Sequence, residues 1–217
     1  MLLARPRHTL AVVSLQGPER VRLRDRSEIV IRPIDPRDRE KFLAGFAALS
    51  PLSRYRRFLS PMARLDPRWV DYFTQVDHRD HEALIAETQT GEPVGVARYI
   101  RLREDPTTAE VAVTVVDPWQ GRGAGSALLE RVARRAHEEG ITTFRATCLA
   151  ENRAMLDLLR ALGPASQTTA RGVVEIEVDL PADSEPGSPL HTALRHAAAG
   201  ALKFRHPMPH ADRMGAR

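Results

Sequence analysis

The chain of 217 residues is poor in cysteine, in lysine, in aromatic side chains and in long apolar runs. Cys148 is its one cysteine, so an internal disulfide framework is excluded and a reducing compartment, the cytoplasm, is expected. No histidine sits at a spacing that would activate this thiol, and Cys148 reads as a small buried strand residue. No apolar stretch reaches the roughly eighteen residues that a membrane span needs. Arg5 and Arg7 interrupt the apolar start, which makes a poor signal peptide. Lys41 and Lys203 are the only lysines, and the other thirty basic side chains are arginine, a bias we assign to coding. The excess positive charge sits at the ends. Residues 1–27 carry +4, residues 181–217 carry +2, and the middle is slightly acidic. That distribution lacks the one-faced basic stripe of a nucleic-acid binder, so no specific nucleic acid and no membrane is expected as a partner.

What the chain does have is 42% hydrophobic content, enough for one well-buried domain. Three regions follow: an extension at 1–27 that could add an edge strand through Val21 and Leu23, a domain at 28–180, and a Pro/Ala-rich basic tail at 181–217, expected to be partly helical or disordered. Within the domain the pattern gives a strand ending at Pro33 and a helix over 36–49 capped by Asp35 and broken at Ser50-Pro51. Two short helices follow, around 53–59 and 67–73. Strands are expected at 83–87, 93–102 and 110–116, then a helix over 123–139 stopped by Gly140. A strand at 143–149, a helix at 151–162 and a closing strand at 173–178 complete the pattern.

The most informative stretch is the passage from the strand ending at Val116 into Gln120-Gly121-Arg122-Gly123-Ala124-Gly125-Ser126 and the following helix. A glycine-rich turn opening directly into a helix leaves backbone N–H groups unpaired at the positive end of the helix dipole, a site for phosphate. A Walker loop is excluded because no lysine lies near, and the glycine period is wrong for a dinucleotide fingerprint. The pattern Gln120-x-x-Gly123-x-Gly125 resembles the signature of the GNAT acyltransferase superfamily. Asn152 and Gly163, eleven residues apart, resemble its second motif. Residues 28–180 thread onto that family's order of elements, an α/β mixed sheet flanked by helices, and look closest to bacterial protein-lysine acetyltransferases.

The resemblance implies an acetyl-CoA-dependent N-acetyltransferase that needs no metal. Gly121, Arg122, Gly123, Ala124, Gly125 and Ser126 would hold the diphosphate. The backbone of Thr114, Val115 and Val116 would hold the pantetheine arm and polarise the thioester carbonyl. Asn152 would bond the arm or cap its own helix. Alternation puts Glu110 with the small Ala112 and Thr114 on one strand face. There it reads as the base that deprotonates an amine, the role a glutamate has in the resembled enzymes, or as a solvated carboxylate at a strand mouth. Leu159 stands where the family often has a tyrosine acid. The amine acceptor implied is a protein lysine; a small amine such as a polyamine, aminoglycoside or amino acid, or a non-catalytic acyl-CoA sensor, are the alternatives. A monomer or homodimer is expected. Two further clusters are read as structural. Asp77-His78-Arg79-Asp80-His81 is a polar loop and no zinc site. Arg54-Tyr55-Arg56-Arg57-Phe58, which resembles the family's Ser-x-x-Ser-x-x-x-Arg-Phe helix, is an acceptor-cleft wall or an ion-paired helix face.

Overall fold

A computed structural model describes residues 17–180, so residues 1–16 and the tail from 181 lie outside the description. Eight strands form one sheet in the order β1-β2-β3-β4-β5-β6-β8-β7. They are β1 (Glu19–Arg22), β2 (Glu28–Pro33), β3 (His81–Glu87), β4 (Pro93–Arg101), β5 (Thr108–Val115), β6 (Thr143–Leu149), β7 (Ala165–Ala170) and β8 (Val173–Asp179). Every pair is antiparallel except β5 with β6. A parallel pair needs a crossover, and helix α4 (Ala124–Glu138) supplies it. Its Leu128, Val132 and Ala136, recurring every fourth residue, are fully buried on the sheet with Tyr99 and Phe144. Fully burying a side chain such as Leu128 is worth about 1.5–3 kcal/mol.

The other face carries α1 (Arg39–Ala47), α2 (Pro51–Phe58) and α3 (Pro67–Thr74), while α5 (Arg153–Arg160) packs beside α4. The helix expected over 36–49 is divided: a 3₁₀ turn at Pro36–Asp38 precedes α1. Asp35 and Asp38 close a reciprocal capping box there, and Asp38 also accepts two N–H groups of Arg32 at 2.6 and 2.7 Å. Ser50-Pro51 breaks this helix and begins the next, since Ser50 caps α2 and Pro51 fills its first turn. Of the N-terminal extension, β1 is the edge strand. Ala165–Ala170 forms a strand that the hydrophobic pattern missed. All six residues are exposed and polar or small, so alternation has nothing to mark. Among the described residues no helix is long and apolar enough to cross a membrane.

Candidate active site

β5 and β6 begin as neighbours and then part. Their register runs through Thr108–Thr143, Ala109–Phe144 and Glu110–Arg145 and ends there, although both strands continue for several residues. The fork opens into a cleft of ≈ 390 Å³ bounded by Val111 to Val115 on one side, Thr147 and Cys148 on the other, and the glycine turn at its end. A cleft of this size suits an extended cofactor arm.

The turn owes its shape to glycine. Gly121 and Gly123 have φ of 72° and 100°, a region that a Cβ makes costly. Gly123 occupies the N-cap position of α4 without offering a side-chain cap, and the first intrahelical bond runs from Ala127 N–H to Gly123. The N–H groups of residues 121–126 make no well-formed hydrogen bond among the described residues. Six open donors at a fifteen-residue helix N-terminus fit a diphosphate. Gly125 serves packing as well: a Cβ there would stand 3.2 Å from Leu158 and 3.7 Å from Val115.

The backbone of β5 divides by alternation. Val116 N–H donates to Val94 at 2.9 Å, and the pairs Val96–Thr114, Arg98–Ala112 and Ile100–Glu110 lie in the same phase. Thr114 and Val116 therefore bond to β4, and the sequence expectation for these two needs correcting. Val111, Val113 and Val115 turn their peptides toward the fork. Val113 is a donor the sequence reasoning missed; the strand's hydrogen-bonding phase, which a sequence does not carry, decides it. Thr114 contributes its side chain to the cleft instead.

Glu110 is exposed and sits at the last paired position, where the fork begins, on the face shared with Ala112 and Thr114. Asn152 lines the cleft and caps α5, accepting from Met155 N–H at a loose 3.4 Å. Arg122 turns away from the turn: it donates to Asp25 at 3.3 Å and stacks on Trp119. Arg24, on the β1–β2 hairpin that Arg122 anchors through its carbonyl, lines the cleft and had no sequence signal. Leu159 is fully buried in the core, so its position offers the cleft no acid. Cys148 is buried, its thiol pushed up by desolvation, which keeps it a neutral wall residue.

Helix α2 closes the cleft. Asp117 accepts Ser50 N–H at 2.9 Å and Ser53 Oγ at 3.0 Å; Gln120 donates to Ser53 Oγ at 3.1 Å and to the Val115 carbonyl at 3.0 Å. This chain of bonds fixes α2, the end of β5 and the start of the turn as one unit, and gives Gln120 a structural reason to precede the glycines. Arg56 and Arg57 line the cleft, and among the described residues Arg54, Arg56 and Arg57 form no ion pair. Arg54 donates to two backbone carbonyls and stacks on Phe46. The cluster is a cleft wall, and the ion-paired reading fails. The histidine loop is structural: Asp77 Oδ1 accepts three successive N–H groups, from residues 79, 80 and 81, each at 2.9 Å. No group of three or more metal-binding side chains occurs among the described residues.

A family model described as "Acetyltransferase (GNAT) family" matches residues 47–163, more than half of the chain. The chain belongs to the GNAT acetyltransferase family. It is 35% identical over 174 residues, 79% of this chain, to Acetyltransferase Pat of Mycolicibacterium smegmatis, of whose length it spans 52%. It is 33% identical over 148 residues, 67% of this chain, to Acetyltransferase PA5475 of Pseudomonas aeruginosa, covering 79% of that protein. The crystal structure of the GNAT domain of S. lividans PAT superposes with a TM-score of 0.70 at 36% identity, covering 75% of this chain and 97% of that one. The chain thus spans about half the length of the M. smegmatis relative and nearly all of an isolated GNAT domain.

Proposed function

We propose that the protein transfers the acetyl group of acetyl-CoA to a primary amine, with a protein lysine as the preferred acceptor. The observation that carries this reading is the fork between β5 and β6, ending on a turn whose N–H groups have no partner among the described residues. The donors of residues 121–126 would hold the diphosphate, with the cleft-lining Arg24 and Arg56 beside them, and Val113 and Val115 would pair with the amides of the pantetheine arm. Bound there, acetyl-CoA supplies the acetyl group as a thioester. One of the fork-facing N–H groups would polarise its carbonyl in a sheltered cleft, where a fixed donor is most effective.

A lysine amine is protonated at neutral pH, with a reference pKa near 10.4. Glu110 would accept one proton from the ammonium, directly or through water, so that the nitrogen lone pair can attack. A second N–H proton would leave to solvent as the C–N bond forms and the C–S bond breaks. The departing thiolate takes a proton from water, since a thiol with pKa near 8.5 leaves tolerably without a dedicated acid.

The basic wall made by Arg56 and Arg57 disfavours polycationic acceptors such as polyamines and aminoglycosides. The test supplies acetyl-CoA with lysine peptides, free amino acids, polyamines and aminoglycosides, follows thiol release, and checks each acceptor by mass for one added acetyl group. Turnover on peptides above all others is expected. Tight coenzyme binding with no turnover on any amine would replace the enzyme with a sensor.

A further inference from the structure

Beyond the cleft, sharing Arg57, Ala112 and Thr114 with it, lies a second, smaller cavity of ≈ 50 Å³ between the sheet and helices α1 to α3. Its walls are mostly aromatic and apolar, with Phe42, Phe46, Phe58 and Phe73 among them. Two guanidinium groups enter it. Arg98, on β4 directly opposite Ala112, is only 4% exposed. It donates to the Phe73 carbonyl at 3.3 and 3.4 Å, meets His81 Nε2 at 3.2 Å, and stacks on the Phe73 ring at 4.4 Å. Arg57 comes from α2, with the Phe58 ring 5.1 Å away and no hydrogen-bond partner among the described residues.

Neither guanidinium has a carboxylate within ion-pair distance among the described residues. Of the acidic groups nearby, Glu110 acts on Arg57 only at longer range, and the others are engaged elsewhere. Glu87 is shared by Arg32 and Lys41, Asp71 is held by Arg39, and Asp117 by Ser50 and Ser53. Lys41, which also lines the cavity, is thereby neutralised. The facing titratable groups are His81, which burial keeps neutral, Tyr72, and Glu110, whose charge acts on Arg57 from beyond ion-pair distance. Burial and the Arg57 charge together pull the Arg98 pKa down to about 9, which leaves it charged at neutral pH. Two cations that repel each other in an apolar box are costly, and such charges are ordinarily paired. A planar fork in an aromatic pocket is matched to a planar oxyanion.

We propose that this cavity is a carboxylate subsite, in which Arg98 and Arg57 receive a compact carboxylate brought either by the acceptor or as a free small acid. The acceptor arm of this proposal rests on the acetyl-transfer reading above; the free-acid arm does not. A lysine flanked by Asp or Glu is the acceptor that fits, since its amine would reach the Glu110–Thr114 face while the neighbouring acid enters the cavity.

The experiment has two parts. First, sodium propionate is titrated into the full chain against sodium chloride at matched ionic strength, with melting temperature as readout. Wild type is expected to gain a saturable stabilisation that Arg98→Met and Arg57→Gln lack. Second, acetylation is measured on paired lysine peptides that differ by one Glu-to-Gln exchange beside the lysine. Losing a charge-assisted hydrogen bond should raise KM for the Glu peptide about tenfold more than for the Gln peptide in either variant. Propionate binding without peptide discrimination assigns the site to free acids; discrimination assigns it to the acceptor. Absence of turnover leaves the titration to decide the subsite alone. If propionate acts no differently from chloride and the two peptides are equal in wild type, the subsite does not exist. Arg57→Gln, at a partly exposed position, keeps the test decisive should Arg98→Met fail to fold.

Discussion

Glu110→Gln is the substitution whose outcome the geometry constrains most. Glu110 occupies the last paired position of β5, while the open donors that face the fork are Val113 and Val115, the Val111 N–H still being taken up by the pairing with β6. At about 3.3 Å per residue, a thioester carbonyl held at Val113 would lie about 10 Å along the strand from Glu110. A carboxylate at that distance serves through a bridging water, which places its contribution at the low end of the range for general bases, about a hundredfold in kcat. At pH 7.4 only about one lysine amine in a thousand is unprotonated, given a reference pKa near 10.4. The variant should therefore recover as pH rises, gaining about tenfold per unit while the free amine accumulates. Thiol release on a lysine peptide between pH 7 and 9 measures this, with coenzyme A affinity by calorimetry as the control. Gln preserves shape and removes the base, so affinity should be unchanged. A variant within about threefold of wild type across that range would refute the assignment, because a positioned base contributes far more than that.

Three other outcomes follow from packing and charge. Gly95→Ala would put a Cβ 2.7 Å from the Thr114 carbonyl and 3.1 Å from Leu128, forcing β4 from β5. A loss of at least about 1–3 kcal/mol in urea unfolding, together with weakened coenzyme A binding, is expected. Glu82, 1% exposed, accepts from Arg135 at 3.1 Å and from the Ala83 N–H at 2.9 Å. Glu82→Ala, read by denaturant midpoint, should cost about 1–3 kcal/mol by leaving Arg135 Nε and the Ala83 N–H without an acceptor, while Arg135 keeps Glu138 and Glu139. His81 has its folded pKa lowered to about 4 by burial and by Arg98, against an unfolded value near 6.5. Above pH 6.5 both states are neutral and the group is silent. Between pH 6.5 and 4 the unfolded chain takes up a proton that the folded chain resists, so stability should fall through that window. His81→Phe should flatten this part of the melting-temperature profile.

The elements that sequence made legible are those with a strong physical signature. The period of Leu128, Val132 and Ala136 gives α4, and Asp35, Ser50-Pro51 and Gly140 mark boundaries through capping chemistry and a left-handed φ. The glycine turn is legible because few backbones need three glycines in five residues. Three things were not. β7 is polar throughout and is held by its pairing to β8; the Arg171-Gly172 turn, with φ of 50° and 79°, was the available hairpin signal. The hydrogen-bonding phase of β5, which exchanges Thr114 and Val116 for Val113, follows from the register with β4. Arg24 and Arg98 come from separate elements, and only the fold brings Arg24 to the cleft and sets Arg98 beside Arg57, whose segment the sequence already offered as a cleft wall.

The central claim is that the unpaired amides of the turn, and those of β5 facing the fork, are where coenzyme A is held. Hydrogen exchange on the full chain, with and without coenzyme A, reads them directly. The account predicts that the amides of residues 121–126, 113 and 115 slow markedly on binding, while Thr114 and Val116, already bonded to β4, change little. Coenzyme A binding that leaves residues 121–126 exchanging at their free rate, or no binding at all, would contradict it.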